Sequence, residues 1–281
     1  MGNPSDGYGG AVLATTLRNF RASVEAERSA ALSIDPPSTL VTAGVRGFAR
    51  TLEPAAAQAT VRWQQAIPRE VGLGSSSALV IATLRALASL FELSLSADQL
   101  ATLAHTIERQ DLGIAGGRQD QVVQSQEGLL LMEFGERPVT DAVDVELLPP
   151  LLIAYRRETA QASGPVHAPL RARFEAREAL LLEAMHELAR LARDARDALV
   201  GRDHERFGRC VNATFEIRAR IMALDPSHAA MVRAARDCGA STNYTGSGGA
   251  IVCVCADELH RRECERALRA LGCRTLVPEL G

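Results

Sequence analysis

The chain contains no lysine; all 31 of its basic residues are arginine. That absence excludes a Walker A loop and the strand lysine of protein kinases. Any phosphate contact must come from arginine, hydroxyls, backbone N–H groups or a metal. Aromatic residues make up only 4% of the chain, which argues against a base-stacking surface. The net charge is −3 at pH 7, so no global basic field exists for nucleic acid or membrane. No apolar run is long enough to span a bilayer, and no signal peptide is recognisable. The 6 cysteines form no C-x-x-C and no paired His/Cys spacing. Cys253 and Cys255 alternate in an apolar run and read as buried thiols. The chain is therefore expected to be cytoplasmic and reduced.

What is present is a globular composition. The 281 residues are 47% hydrophobic and 23% charged, enough for one large or two ordinary domains. A strand pair is expected over 11–20 and 21–28, and a helix over 38–52 after Pro36-Pro37. A strand over 60–67 leads to a glycine-serine loop and a helix ending near Phe91. A second helix over 96–108 has Ser96 as its cap. A glycine-rich loop over 112–120 precedes strands over 128–134 and 143–148. Pro149-Pro150 reads as a domain boundary, giving domains 1–149 and 150–281. A strand over 151–155, one long helix over 171–200, and helices over 205–224 and 228–238 follow. A third glycine loop then enters a strand, and a helix over 258–271 and a strand over 273–277 close the chain. The expected class is α+β, two halves that are each a sheet backed by helices.

The most informative stretch runs from Pro68 to Ala78, P-R-E-V-G-L-G-S-S-S-A. Gly72 and Gly74 allow turns that a side chain would block. Ser75, Ser76 and Ser77 can cap the helix that follows. Its unpaired N–H groups and dipole form an anion site. Alone, such a loop is as well read as a capped turn. Two more glycine loops, over 3–10 and 245–250, give it company and suggest a nucleotide phosphate site built from backbone.

These residues resemble the GHMP kinase superfamily. Its first motif looks like Gly2 to Gly10, its second like Pro68 to Ala78 with one extra serine, and its third like Thr245 to Ala250. Within it the match is closest to the glucuronokinase branch, through 112–120, 128–134, 147–151, 163–167 and the T-G-S-G-G-A loop. The resemblance implies a two-domain kinase that uses ATP and Mg²⁺ on a small sugar or sugar acid, best matched by glucuronate. It implies that Pro68, Gly72, Leu73, Gly74, Ser75, Ser76, Ser77 and Ala78 form the ATP loop. Ser76 and Glu108 would ligate the metal, and Asp120 would be the base beside the acceptor hydroxyl. Asp6, Gly246, Ser247, Gly248 and Gly249 would face the substrate, and Arg118 would meet a substrate carboxylate.

Plainer readings stand beside these. Asp120 can cap a helix, Asp6 can cap a turn, Arg118 can be a solvated loop residue, and His167 reads as a loop residue. Trp63 reads as core rather than as an adenine platform. The family's opening strand, which carries a basic residue before the first motif, has no counterpart ahead of Gly2-Asn3. That leaves a sheet edge to be covered and two alternatives, a start further upstream or a site without that part. The function alternatives are another sugar, a mevalonate-like alcohol, or a non-catalytic nucleotide- or sugar-binding relative.

Overall fold

The computed structural model describes residues 1–114, 116–156, 164–246 and 248–281, with backbone only for 164–168. Contacts divide the chain into two compact units. One consists of Asn19–Pro68 and Gly74–Glu127; the other consists of Met1–Arg18, Arg69–Leu73 and Gly128–Gly281. This differs from a single cut at Pro149-Pro150. The first 18 residues and the strand after Gly128 belong with the C-terminal part, because β1 (Ala11–Thr15) pairs antiparallel with β5 (Leu129–Glu133) along its whole length.

The smaller unit is built on a three-stranded sheet. Its strands are β2 (Ala22–Arg28), β3 (Ser33–Asp35) and β4 (Ala59–Gln65), in the order β2-β4-β3, with β3 parallel to β4. The expected pairing of 11–20 with 21–28 does not form; β1 and β2 lie in different sheets. Helices α1 (Thr39–Thr51), α2 (Ser75–Leu90), α3 (Ala97–Gln110) and α4 (Gln119–Gln126) complete the unit. Ser38 caps α1 by accepting from the Val41 N–H, and Ser96 with Gln99 forms a full capping box on α3. Gly44 and Gly47 let α1 pack closely. A Cβ on Gly47 would fall 2.4 Å from Ile107, and one on Gly44 would fall 3.0 Å from Thr83. Helix α2 buries Leu79, Val80, Ile81, Leu84 and Leu87 at 3% exposure or less, each burial worth roughly 1.5–3 kcal/mol. Trp63 is half-buried against the edge of this core rather than inside it, and it donates to the Pro36 carbonyl at 2.7 Å.

The larger unit holds two antiparallel sheets. One has the order β1-β5-β6, where β6 is Val139–Val143. The expected strand over 143–148 is instead the end of β6 followed by a short 3-10 turn, Val145–Leu147. On the outer edge of β1, Met1 and Leu13 exchange backbone hydrogen bonds at 2.6 and 3.0 Å. The second sheet has the order β10-β7-β9-β8. Its strands are β7 (Leu151–Tyr155), β8 (Ser241–Tyr244), β9 (Ala250–Val254) and β10 (Arg274–Leu276).

Helices α5 (Gly164–Glu175), α6 (Ala179–Val200), α7 (His204–Ile221), α8 (Pro226–Asp237) and α9 (Glu258–Ala270) belong to this unit. The single long helix expected over 171–200 is therefore two helices. Arg177 takes a left-handed φ of 53°, and Arg173 holds Glu178 by two bonds of 2.7 Å across the break. Cys253 and Cys255 are buried in the core of the second sheet, and burial pushes the Cys253 thiol up to about 12. Among the described residues no helix is long and apolar enough to cross a membrane.

Candidate active site

The glycine-serine loop enters α2 through Gly74, whose φ is +66°. Gln124 of α4 donates to the Gly74 carbonyl at 3.0 Å. A Cβ on Gly74 would sit 2.4 Å from the Gln124 amide nitrogen and 3.8 Å from the Asp120 carboxyl carbon. Glycine is required here because α4 packs directly against the turn. The expected serine cap is absent: Gly74 is the capping residue, and it offers no side-chain hydrogen bond. The first-turn N–H groups therefore have no hydroxyl claiming them.

The serine that is engaged is Ser77. It is 4% exposed, accepts from Gln121 Nε2 at 3.2 Å, and hydrogen-bonds Glu108. The Ser76 hydroxyl makes no hydrogen bond among the described residues. Glu108, in the last turns of α3, is also 4% exposed. Its Oε2 accepts from Gln121 Nε2 at 2.7 Å, while its buried Oε1 has no partner among the described residues. Burial pushes the Glu108 carboxyl up to about 7; the charge of Asp120 adds to this, and the hydrogen bonds from Ser77 and Gln121 oppose it. Glu108, Asp120 and Ser77 thus come together in one neighbourhood. Gln121 joins them, a residue that the sequence reading passed over although it directly follows Asp120. Among the described residues no group of three or more His, Cys, Asp or Glu could hold a metal; the oxygens here are two carboxylates and a hydroxyl.

Asp120 lies within the first turn of α4, where its negative charge suits the helix dipole; the capping position is Arg118, so Asp120 is not the helix cap. Arg118 precedes α4 and donates to the Thr102 hydroxyl of α3 at 3.0 Å. This tie fixes the loop, and Arg118 is not gathered with Glu108 in any described contact.

In the larger unit, Val71 and Gly72 pack against the third loop. Gly246, Gly248 and Gly249 all have positive φ, at 43°, 110° and 97°. A Cβ on Gly72 would meet the Thr245 carbonyl oxygen at 2.3 Å, and one on Gly249 would meet the Val71 Cα at 2.7 Å. The second and third motifs are thus in backbone contact. Ser247 lies outside the described residues, as does the His167 side chain.

Beneath the loop, Arg218 of α7 is 1% exposed and donates to the carbonyls of Tyr244 at 3.0 Å and Gly246 at 2.6 Å. Burial lowers its guanidinium to about 10. The sequence signal for Arg218 was a charge on the apolar stripe formed with Phe215 and Ile221. His228, buried at the start of α8, faces Gly248: a Cβ there would lie 3.8 Å from its Nδ1. Asp6 sits in the 3-10 turn Ser5–Tyr8 and is 7% exposed. Ser5 beneath it donates to the Ala11 carbonyl at 3.0 Å.

Comparison with known proteins places this arrangement. The family model for the GHMP kinases N terminal domain matches residues 39–128, and the GHMP kinases C terminal model matches residues 176–272. Glucuronokinase 1 of Arabidopsis thaliana is 31% identical over 95% of this chain and 86% of its own length. D-glycero-alpha-D-manno-heptose 7-phosphate kinase of Campylobacter jejuni is 46% identical, but over only 24% of this chain and 20% of its own length. The crystal structure of a D-glycero-D-manno-heptose 1-phosphate kinase from Bacteriodes thetaiotaomicron superposes with a TM-score of 0.74 at 24% identity. It covers 98% of this chain and 89% of that one, a likeness of fold. Two family models in chain order and a relative matched along nearly the whole length carry one conclusion: the chain belongs to the GHMP kinases, a family of ATP-dependent phosphotransferases.

Proposed function

We propose that this GHMP kinase is a cytoplasmic enzyme that phosphorylates a sugar acid, glucuronate at its anomeric hydroxyl, with ATP and Mg²⁺. The observation that carries the reading is the gathering of Glu108, Asp120 and Ser77 beside the N-terminus of α2. The glucuronokinase likeness along 95% of the chain supports the acceptor.

Each part of phosphoryl transfer has a candidate here. Gly72, Leu73, Gly74 and Ser75 bring backbone N–H groups to the nucleotide phosphates, with the helix dipole behind them. Pro68 and Ala78 bound this loop. Glu108 and Ser77 are the oxygens that would hold Mg²⁺, with Ser76 one step round the helix. The set fits the ion, which takes one or two carboxylates and leaves the rest of its shell to phosphate and water; the unpartnered Glu108 Oε1 is the oxygen to offer. When bound, the metal neutralises phosphate charge as it is transferred. Asp120 takes the proton from the attacking hydroxyl, a contribution of roughly 10²–10⁴-fold. Asp6 holds sugar hydroxyls, and the glycines at 246, 248 and 249 let backbone approach the substrates.

A second acceptor is favoured by the short match to a heptose 7-phosphate kinase: a heptose phosphate in place of the uronate. The test is ADP release from Mg-ATP with glucuronate, galacturonate, galactose, glucose, mevalonate and a heptose 7-phosphate as acceptors. We expect turnover on glucuronate, falling at least ~100-fold in Asp120→Ala. Turnover on another acceptor alone replaces the substrate, and unchanged turnover in Asp120→Ala removes the base.

A further inference from the structure

Against the first motif lies a cation that the proposed phosphate contacts do not use. Arg171 lies on α5, and its guanidinium carbon is 5.2 Å from the centre of the Tyr8 ring. Tyr8 also packs against Phe174 of the same helix, with ring centroids 4.4 Å apart. Arg171 and Tyr8 are both half-buried. The Tyr8 hydroxyl is within the electrostatic reach of Arg171, Asp6 and Glu175. Four side chains of one neighbourhood are therefore a ring, a guanidinium and two acids, Asp6 in the buried turn and Glu175 exposed on α5.

What separates Arg171 from its neighbours is its lack of a partner. Among the described residues it makes no ion pair and no hydrogen bond. Arg173, two residues on, is committed to Glu178 through two bonds and to the Ile221 carbonyl at 2.6 Å. Arg218 is committed to two carbonyls of the third loop. Arg118, the first expectation for a carboxylate contact, is tied to Thr102. A guanidinium resting over an aromatic face keeps its in-plane N–H fork, the geometry that matches a carboxylate. Partial burial beside the ring strips some of its hydration and leaves the charge in want of an anion.

We propose that Arg171 is the specificity-determining cation of the acceptor site, taking the carboxylate of a sugar acid while Asp6 takes a hydroxyl of the same molecule. The Tyr8 ring supports the guanidinium from beneath. A neutral sugar leaves this cation unpaired, so the site favours a uronate over the corresponding hexose. The inference rests on the sugar-acid reading above.

The test uses the full chain, with glucuronate and glucose as the paired acceptors. These differ at one carbon, a carboxylate against a hydroxymethyl. In Arg171→Met we expect kcat/KM for glucuronate to fall about 30-fold or more, chiefly through KM. The value for glucose should change by less than about 3-fold, since no carboxylate is there to lose. Arg171→Lys should recover part of the loss, because it restores charge without the fork. Calorimetry should show weakened glucuronate binding with ATP binding unchanged. Arg171→Gln serves if Arg171→Met fails to fold. An equal loss on both sugars, or glucuronate binding unchanged in an enzyme active on glucuronate, overturns the role of Arg171 and leaves the substrate reading standing. A wild-type enzyme that uses glucose or a heptose 7-phosphate and not glucuronate overturns both.

Discussion

Glu108 occupies an unfavourable place for a carboxylate, buried and beside a second acid, and this has a measurable consequence. Its pKa is pushed up to about 7 from an ordinary 4.5, mainly by burial. The folded protein therefore holds a proton that the unfolded chain releases between those values. Stability falls as pH rises from about 4.5 to about 7 and is level above it. The shift corresponds to about 3 kcal/mol. Glu108→Gln should abolish this slope, matching wild type near pH 4 and exceeding it by up to about 3 kcal/mol at pH 8, measured by urea unfolding of the metal-free protein. The same variant should lose at least ~100-fold in turnover, the trade of function against stability seen at strained sites. A slope that survives in Glu108→Gln would place the titration elsewhere.

The serine beside Glu108 is a second residue-scale question. Side chains on consecutive helical positions point about 100° apart, so only one of three serines can face Glu108. The motif pointed to Ser76; the geometry turns Ser77 inward. The difference follows from Gly74 capping the helix, which sets its rotation, and a run of three identical residues cannot reveal that rotation. Ser77→Ala removes a hydrogen bond that holds the Glu108 pKa down. It should move the stability slope to higher pH, whereas Ser76→Ala should leave it in place; urea midpoints at several pH values distinguish them. Glu108 and Asp120 were pointed to by the resemblance of the motifs around them, and the fold sets them in one neighbourhood. Gln121 and Arg218 were not, because each acts through tertiary neighbours that sequence spacing does not express.

At the scale of elements, the loops were more legible than the pairings they join. The glycine loops, the capped starts of α1 and α3 and the strand β7 follow from local rules of turn and cap. The partner of β1 is β5, more than a hundred residues away, and no local pattern selects it over β2. The break between α5 and α6 falls at Arg177, where no glycine or proline signals it; the Arg173–Glu178 pair and a left-handed arginine make the turn. Loop glycines also differ in kind. Gly72 and Gly113 both have positive φ, 71° and 66°. A Cβ on Gly72 runs into two backbone oxygens, at 2.3 and 2.8 Å, whereas one on Gly113 meets nothing within 4 Å. Gly113→Ala should cost about 1 kcal/mol, the left-handed term alone. Gly72→Ala should cost about 3 kcal/mol or more, because backbone must separate from backbone. Equal losses by chemical denaturation would mean that the second and third motifs are not packed as described.

At the scale of the whole molecule, the sequence suggested a division at one point, while the contacts weave the chain through two units. The units carry different natural probes. The single tryptophan, Trp63, lies in the smaller unit, and all six cysteines lie after Gly128 in the larger one. Glu108 belongs to the smaller unit with Trp63. The destabilisation that accompanies its ionisation should therefore act first on the unit that Trp63 reports. Between pH 5 and pH 8, the urea midpoint read by Trp63 fluorescence should fall. The midpoint read by exposure of the buried cysteines, labelled in brief pulses at one fixed pH after equilibration, should fall less. In Glu108→Gln the tryptophan midpoint should become level with pH while the thiol midpoint stays as it was. If both probes shift together at every pH, the two units unfold as one cooperative body, and a single buried carboxylate sets the pH dependence of the entire chain.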